Sequence, residues 1–313
     1  MADSVVVERH DTTSARIHGA LFVGLPLLTG LLFVAFGSGL WRILGGGIGL
    51  FIGVRGLAPN LKFPDRLELV GDRIRVRRMW TRRFEELDPK QLEDASFRLD
   101  PDLRPATATL RFRGPGPGFL FLAPGFFPEA KMFLERLVHD LGTGLSFPAR
   151  LGPSALVHFV RYLDEPGLGS SASYALPDGV VTTVYLYPGS DAPPVDGPSS
   201  PEAARQFDQA RSDVHRLFEH QFPGMQLMEQ PGPVPASGDL QFLATQFETP
   251  KEPSMRSFLF LTVVHGVYLK VRCTGPATLA SLESQLGAVL RALATAVRAG
   301  FRDRAKLQKE PLK

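Results

Sequence analysis

Three arginines at alternate positions, Arg73, Arg75 and Arg77, are the residues of this 313-residue chain best spaced to do chemistry. Alternation along a strand puts three guanidinium groups on one face, and each offers a planar donor fork that fits phosphate oxygens. With Lys62 upstream they form a candidate seat for anionic lipid, worth about 1 kcal/mol per charge close to an anionic leaflet. The competing reading is a solvated sheet face, because Ile74 and Val76 between the arginines mark the opposite side as the buried one. On a helix expected over 201–222, Asp208, His215 and Glu219 fall on one side and could reach a common metal ion. Those residue types are also what a solvated helix face contains, so no metal is predicted. Gly167–Ser171 is followed by no Gly-Lys-Ser/Thr and opens no helix, so it reads as a turn and not a phosphate loop. It does not fit the nucleophile elbow either. The single cysteine, Cys273, excludes an intrachain disulfide framework and reads as a small packed residue beside Arg272. Tyr185 and Tyr187 alternate with Val184 and Leu186 and read as sheet residues. No catalytic residue and no cofactor is predicted. An enzyme would need residues distant in sequence, such as His158, Asp208, His215 and Tyr185, to converge in one pocket.

The elements that carry these residues follow from hydropathy. The chain is 44% hydrophobic and 21% charged, which excludes a wholly disordered protein, and a net charge of +3 is too small to announce nucleic-acid binding. Residues 17–36 run for twenty positions without a charge, roughly 30 Å as a helix, the thickness of a bilayer core. A second apolar stretch, 40–57, contains Arg42 and Arg55 near its ends. Gly45, Gly49 and Gly53 in it recur every fourth residue, a spacing that lets helices approach closely in lipid. Together they predict a transmembrane helical hairpin over 17–57 behind an N-terminal tail, 1–16. One span followed by a re-entrant or surface segment, a buried soluble helix and a cleaved signal peptide are the alternatives. Residues 55–83 hold nine Lys or Arg against three carboxylates, which places the following domains in the cytoplasm.

Past Pro64 the pattern changes to short alternating strands that end in an amphipathic helix before Gly142. The segments LELVGDRIRVRRMWTRRFEEL and FFPEAKMFLERLVHDLG, in this order after a hydrophobic hairpin, resemble the bacterial pleckstrin-homology-like domains. The resemblance covers 64–142. It implies a small β-barrel or sandwich capped by one helix over 64–147, and lipid headgroup recognition by Arg73, Arg75 and Arg77.

From 150 to 300 the order reads strand, strand, helix, then three strands and a helix, ahead of a basic tail, 301–313. An α+β domain with an antiparallel sheet is predicted, loosely similar to the PsbP-like αβα sandwich, a fold of non-catalytic binding and assembly roles. The expected protein is a membrane-anchored, non-enzymatic binding or scaffold protein of the bacterial inner membrane. Its expected partners are the membrane, anionic lipid and another protein, with no nucleic acid. The rival is a membrane-tethered enzyme with its site in 150–300.

Overall fold

The computed structural model describes residues 5–8, 64–70, 73–78, 84–100, 102, 105–113, 119–122, 130–188, 193–232, 240–249 and 254–307. In chain order the first strands are β1 (Val5–Glu8), β2 (Pro64–Val70), β3 (Arg73–Arg78), β4 (Phe84–Leu87), β5 (Leu92–Leu99), β6 (Pro105–Phe112) and β7 (Phe119–Leu122). Helix α1 (Ala130–Leu137) comes next, then β8 (Arg150–Leu151), β9 (Ser154–Arg161), β10 (Ser170–Ala175) and β11 (Val181–Pro188). Helix α2 (Pro201–Gln221) precedes β12 (Met228–Pro231), β13 (Leu243–Glu248), β14 (Met255–Val264) and β15 (Val267–Pro276), and α3 (Leu282–Leu307) closes the order. The chain divides into two compact units, 1–91 with 106–133, and 92–105 with 134–313.

In the smaller unit β1 to β4 form an antiparallel meander, and β6 and β7 form a hairpin. Period-two alternation sets the register. Leu69 lies opposite Ile74, and Ile74 opposite Leu87, while Leu67 faces Val76. All five are buried, so one face of the meander is apolar and the other carries Glu68 and Arg75.

The larger unit is built on an antiparallel sheet with strand order β12-β13-β14-β15-β11-β10-β9-β5. Its centre is the β14–β15 hairpin, ten residues on each side. The turn is His265-Gly266, both at positive φ (50° and 75°), the backbone twist that a two-residue hairpin needs. Phe258 to Leu261 are all buried, as in a strand covered on both faces. Helix α2 starts where Ser200 accepts a hydrogen bond from the Ala203 amide and Pro201 takes the first position. Its apolar stripe, Ala203, Ala210 and Val214, packs on Phe247, Leu259, Leu261, Val263 and Tyr268. The opposite face of the sheet holds Phe159, Tyr174, Val184, Leu269, Val271 and Cys273, all buried, with Phe147 packed on Phe159 at 5.6 Å. Leu282 and Leu286 are buried at the start of α3, and Leu282 packs so close to Gly275 that a Cβ there would crowd it.

A buried polar knot ties the segment after α1 into this unit. Arg161 donates to the carbonyls of Leu92 (2.9 Å), Leu137 (3.4 Å) and His139 (2.7 Å). Asp140 accepts from Ser170 Oγ (2.6 Å), Thr143 N (2.7 Å) and Thr143 Oγ1 (2.9 Å). These hydrogen bonds compensate for much of the water that the buried groups lose.

These observations correct the expected fold class. The described chain is dominated by antiparallel sheet, and among the described residues no helix is long and apolar enough to cross a membrane. The longest helix, α3, buries Val289, Leu290, Leu293 and Val297 but carries Arg291 and Arg298 on its other side, an amphipathic pattern. The transmembrane hairpin is therefore withdrawn as the organising element, and with it the membrane-anchored scaffold. Residues 17–57, including Gly45, Gly49 and Gly53, and Lys62 lie outside the described residues. Nor is the 64–147 stretch a self-contained small barrel capped by one helix. Its strand β5 pairs with β9, with Ala95 opposite Phe159, inside the larger sheet.

Candidate functional site

Directly opposed residues of an antiparallel sheet point to the same face, so the register identifies what that face carries. On β15 and β11, Lys270 opposes Tyr185, Arg272 opposes Thr183 and Tyr268 opposes Tyr187. On β10, Ser171 opposes Tyr185 and Ser173 opposes Thr183. The row continues through Val160 and His158 on β9 to Asp94 and Ser96 on β5. This is the face on which α2 lies; the packing of α2 reaches β13, β14 and β15 and, at Tyr187, β11, so Lys270 and Arg272 stand at its margin. From Lys270 and Arg272 outward, most of the side chains are half-buried or exposed, and they are polar or aromatic.

The cations on this face have unusual surroundings. Lys270 Nζ sits 4.4 Å from the ring centre of Tyr185 and 5.5 Å from that of Tyr187, a cation–π arrangement. Tyr187 in turn stacks on Tyr268 at 5.3 Å. Burial lowers the Lys270 ammonium from its ordinary pKa; Asp213 on α2 opposes the shift and the charge of Arg272 adds to it. Burial raises the Tyr185 phenol, Tyr162 adding to the shift while Arg272 and Thr183 work against it. Arg272 Nε donates to Ser257 Oγ at 3.3 Å, and Ser257 pairs with Thr274 at 2.9 Å. Among the described residues neither Lys270 nor Arg272 forms a salt bridge. The carboxylates nearby are engaged elsewhere: Asp213 with Gln209 (3.1 Å) and Arg216 (2.8 Å), and Asp94 with His158 (2.9 Å). The hydroxyls of Ser173 and Thr183 meet at 3.0 Å, and those of Tyr162 and Ser171 at 3.4 Å.

On the other flank of α2, a carboxylate clasps the helix to the outer strands. Glu229 accepts from Arg211 Nε (2.6 Å) and Thr245 Oγ1 (2.8 Å), and its second oxygen lies 2.9 Å from His215 Nε2. Burial alone would raise the pKa of this carboxyl. The hydrogen bonds from Arg211, His215 and Thr245, together with the Arg211 charge, outweigh burial and hold it at about 2. A cleft of about 360 Å³ opens beside the clasp, lined by Phe207, Arg211, Glu229, Pro231 and Thr245. The clasp does not amount to a catalytic constellation. Thr245 is directed at Glu229 and not at His215, so no nucleophile–base–orienter chain runs through it.

The residues singled out from sequence are dispersed. Asp208 pairs with Arg211 (3.0 Å) and His215 with Glu229, while Glu219 is exposed on α2. Among the described residues no group of three or more His, Cys, Asp or Glu is placed to hold a metal. His158 lies on β9 against Asp94, apart from His215 on the outer flank of α2, so the pocket that an enzyme would require does not assemble from His158, Asp208, His215 and Tyr185. Cys273 is fully buried on the apolar face, where burial raises its thiol pKa against a weaker opposing contact from Thr182. Gly169, in the 167–171 turn, has φ 62° and rests against Leu186 and Tyr187, leaving no room for a Cβ. Arg75 bonds Glu68 at 3.3 Å and stands 4.7 Å from the ring centre of Phe84, with Arg77 6.0 Å from the same ring; Arg73 is exposed. Sequence reasoning passed over Lys270 and Arg272. Their signal was the alternation Tyr268, Lys270, Arg272, Thr274 against Leu269, Val271, Cys273, which separates two faces without telling which stays open.

No family model and no curated protein matches the chain. A solved structure from Bacteroides thetaiotaomicron aligns at 13% identity over 47% of this chain and 42% of that one, with a TM-score of 0.22. The chain thus spans less than half of that protein's length, and a likeness at this level carries neither fold nor function across.

Proposed function

We propose that the larger unit is a non-catalytic binding module whose ligand surface is the part of the sheet face running from the margin of α2 across β11, β10 and β9, and that its ligand is a polypeptide segment. One observation carries this reading: the half-exposed row Lys270, Arg272, Tyr185, Thr183, Ser173 and His158 on four adjacent strands. Strands lie about 4.8 Å apart, so that row extends over roughly 14 Å of open surface. A small molecule is held by a concave pocket that removes most of its surface from water, whereas an open face of this width suits a chain laid across it. Aromatic rings and hydroxyls supply contact area and hydrogen bonds for such a segment.

The test uses the whole chain and a displayed random-peptide library. Peptides selected on the wild-type protein should lose binding to Ser173→Trp, which places a bulky ring in the middle of the row. Trp suits a strand position, so melting and circular dichroism should show an intact fold. Selected peptides that bind wild type and Ser173→Trp alike would overturn the reading.

A further inference from the structure

We propose that the segment taken by this face is acidic, with two separate carboxylates seated by Lys270 and Arg272. The inference rests on the reading of the open face as a peptide-binding surface and adds the chemistry of the peptide. Both cations lie on that face, two residues apart on β15, and among the described residues neither meets a carboxylate in a salt bridge. Lys270 is held against the rings of Tyr185 and Tyr187, which desolvate it without neutralising it. On this face Asp213 of α2 is paired with Arg216, and Asp94 with His158. What remains is positive charge without a salt bridge among the described residues, bordered by hydroxyls and phenols, the complement of an anionic ligand.

The directions of the two head groups decide between kinds of anion. Strand β15 stands between β14 and β11. Lys270 leans toward β11, over its two tyrosines, whereas Arg272 leans toward β14, where its Nε meets Ser257. A phosphoryl group needs donors that converge on one tetrahedral centre. Diverging heads fit two charges carried on different residues, as Glu or Asp side chains are on one acidic segment.

The experiment is a titration of the full chain with a fluorescent Glu-rich peptide, read by polarisation. Matched peptides with Gln or Lys in place of Glu serve as comparisons. The Glu peptide should bind at least about tenfold more tightly than the Gln peptide, the factor set by one charge-assisted contact worth about 1.4 kcal/mol. Its affinity should fall with salt. Lys270→Gln and Arg272→Gln should each weaken it several-fold, while Arg150→Gln on β8 should leave it unchanged. Equal weakening by Arg150→Gln would reveal non-specific attraction and overturn the proposal. Competition by inorganic phosphate beyond that of chloride at equal ionic strength would point to a phosphoryl seat and overturn it as well. If Ser173→Trp abolishes binding of library-selected peptides while Lys270→Gln and Arg272→Gln leave the Glu peptide bound, the binding face stands and the acidic ligand falls. If none of the three variants changes any peptide's binding, both fall.

Discussion

The two faces of the large sheet are made by the same strands from alternate residues, yet they have opposite characters. On one, Phe159, Tyr174, Val184, Leu269, Val271 and Cys273 are all buried. Across the backbone, the neighbours of those residues, Val160, Ser173, Thr183, Tyr185, Lys270 and Arg272, form a row that α2 covers only at one end. The difference teaches where the protein keeps its stability and where its polar side chains stay partly accessible. Apolar area removed from water stabilises the fold at roughly 25 cal/mol per Å², so the fully buried apolar face supplies the larger share. A half-covered polar face contributes little to folding and leaves side chains free to be desolvated by something else.

The comparison can be broken most directly on the apolar face. Phe260→Ala, at a fully buried position, should cost about 3–5 kcal/mol in urea unfolding, because transfer energy and a cavity are lost together. A loss below about 1 kcal/mol would mean that the stability resides elsewhere.

The Glu229 clasp, on the flank of α2 away from the open row, should show an intermediate effect with a pH signature. Its carboxyl is 20% exposed and falls from 4.5 to about 2 on folding. A depressed acid stabilises the fold fully above its unfolded value, and that contribution is lost as pH falls through the folded one. Glu229→Gln should therefore cost up to about 3 kcal/mol at neutral pH. The variant should also lack the decline in stability that the wild type shows between pH 4.5 and about 2. Parallel acid-denaturation curves for the two proteins would count against the clasp.

The smallest effect sharpens the contrast. Lys270→Met keeps the side-chain length, removes a desolvated charge and leaves no partner unpaired, so stability should change by no more than about 0.5 kcal/mol or rise slightly. Thermal melts that show a loss above about 2 kcal/mol would make Lys270 a structural residue and remove it from the proposed binding surface.

Much of the local structure was legible in the sequence. The alternation of Arg73, Arg75 and Arg77 with Ile74 and Val76 marks a strand with one buried side, and Ile74 and Val76 are buried. Ser200-Pro201 ahead of a 3.6-residue apolar period marks the start of α2. The failures were non-local. An uninterrupted apolar run is a one-dimensional signal, and it led to a membrane hairpin as the organising element, whereas the described helices are not apolar enough to cross a bilayer. Alternation alone leaves Arg75 available to phosphate, but Glu68, seven residues earlier, lies against it once β2 and β3 pair.

By itself the sequence determined the periods: which residues of each segment share a face, where helices begin and where turns fall. These depend on contacts a few residues apart, which composition and spacing encode directly. Only the tertiary structure decided which face stays open, that β5 joins β9 across 64 residues from Asp94 to His158, and that Glu229 captures Arg211 and His215. The reason is physical. Coverage of a face depends on which distant segment packs against it, and many segments of similar amphipathicity could do so. The choice among them is made by the summed fit of the whole core and leaves no mark on any single stretch of chain.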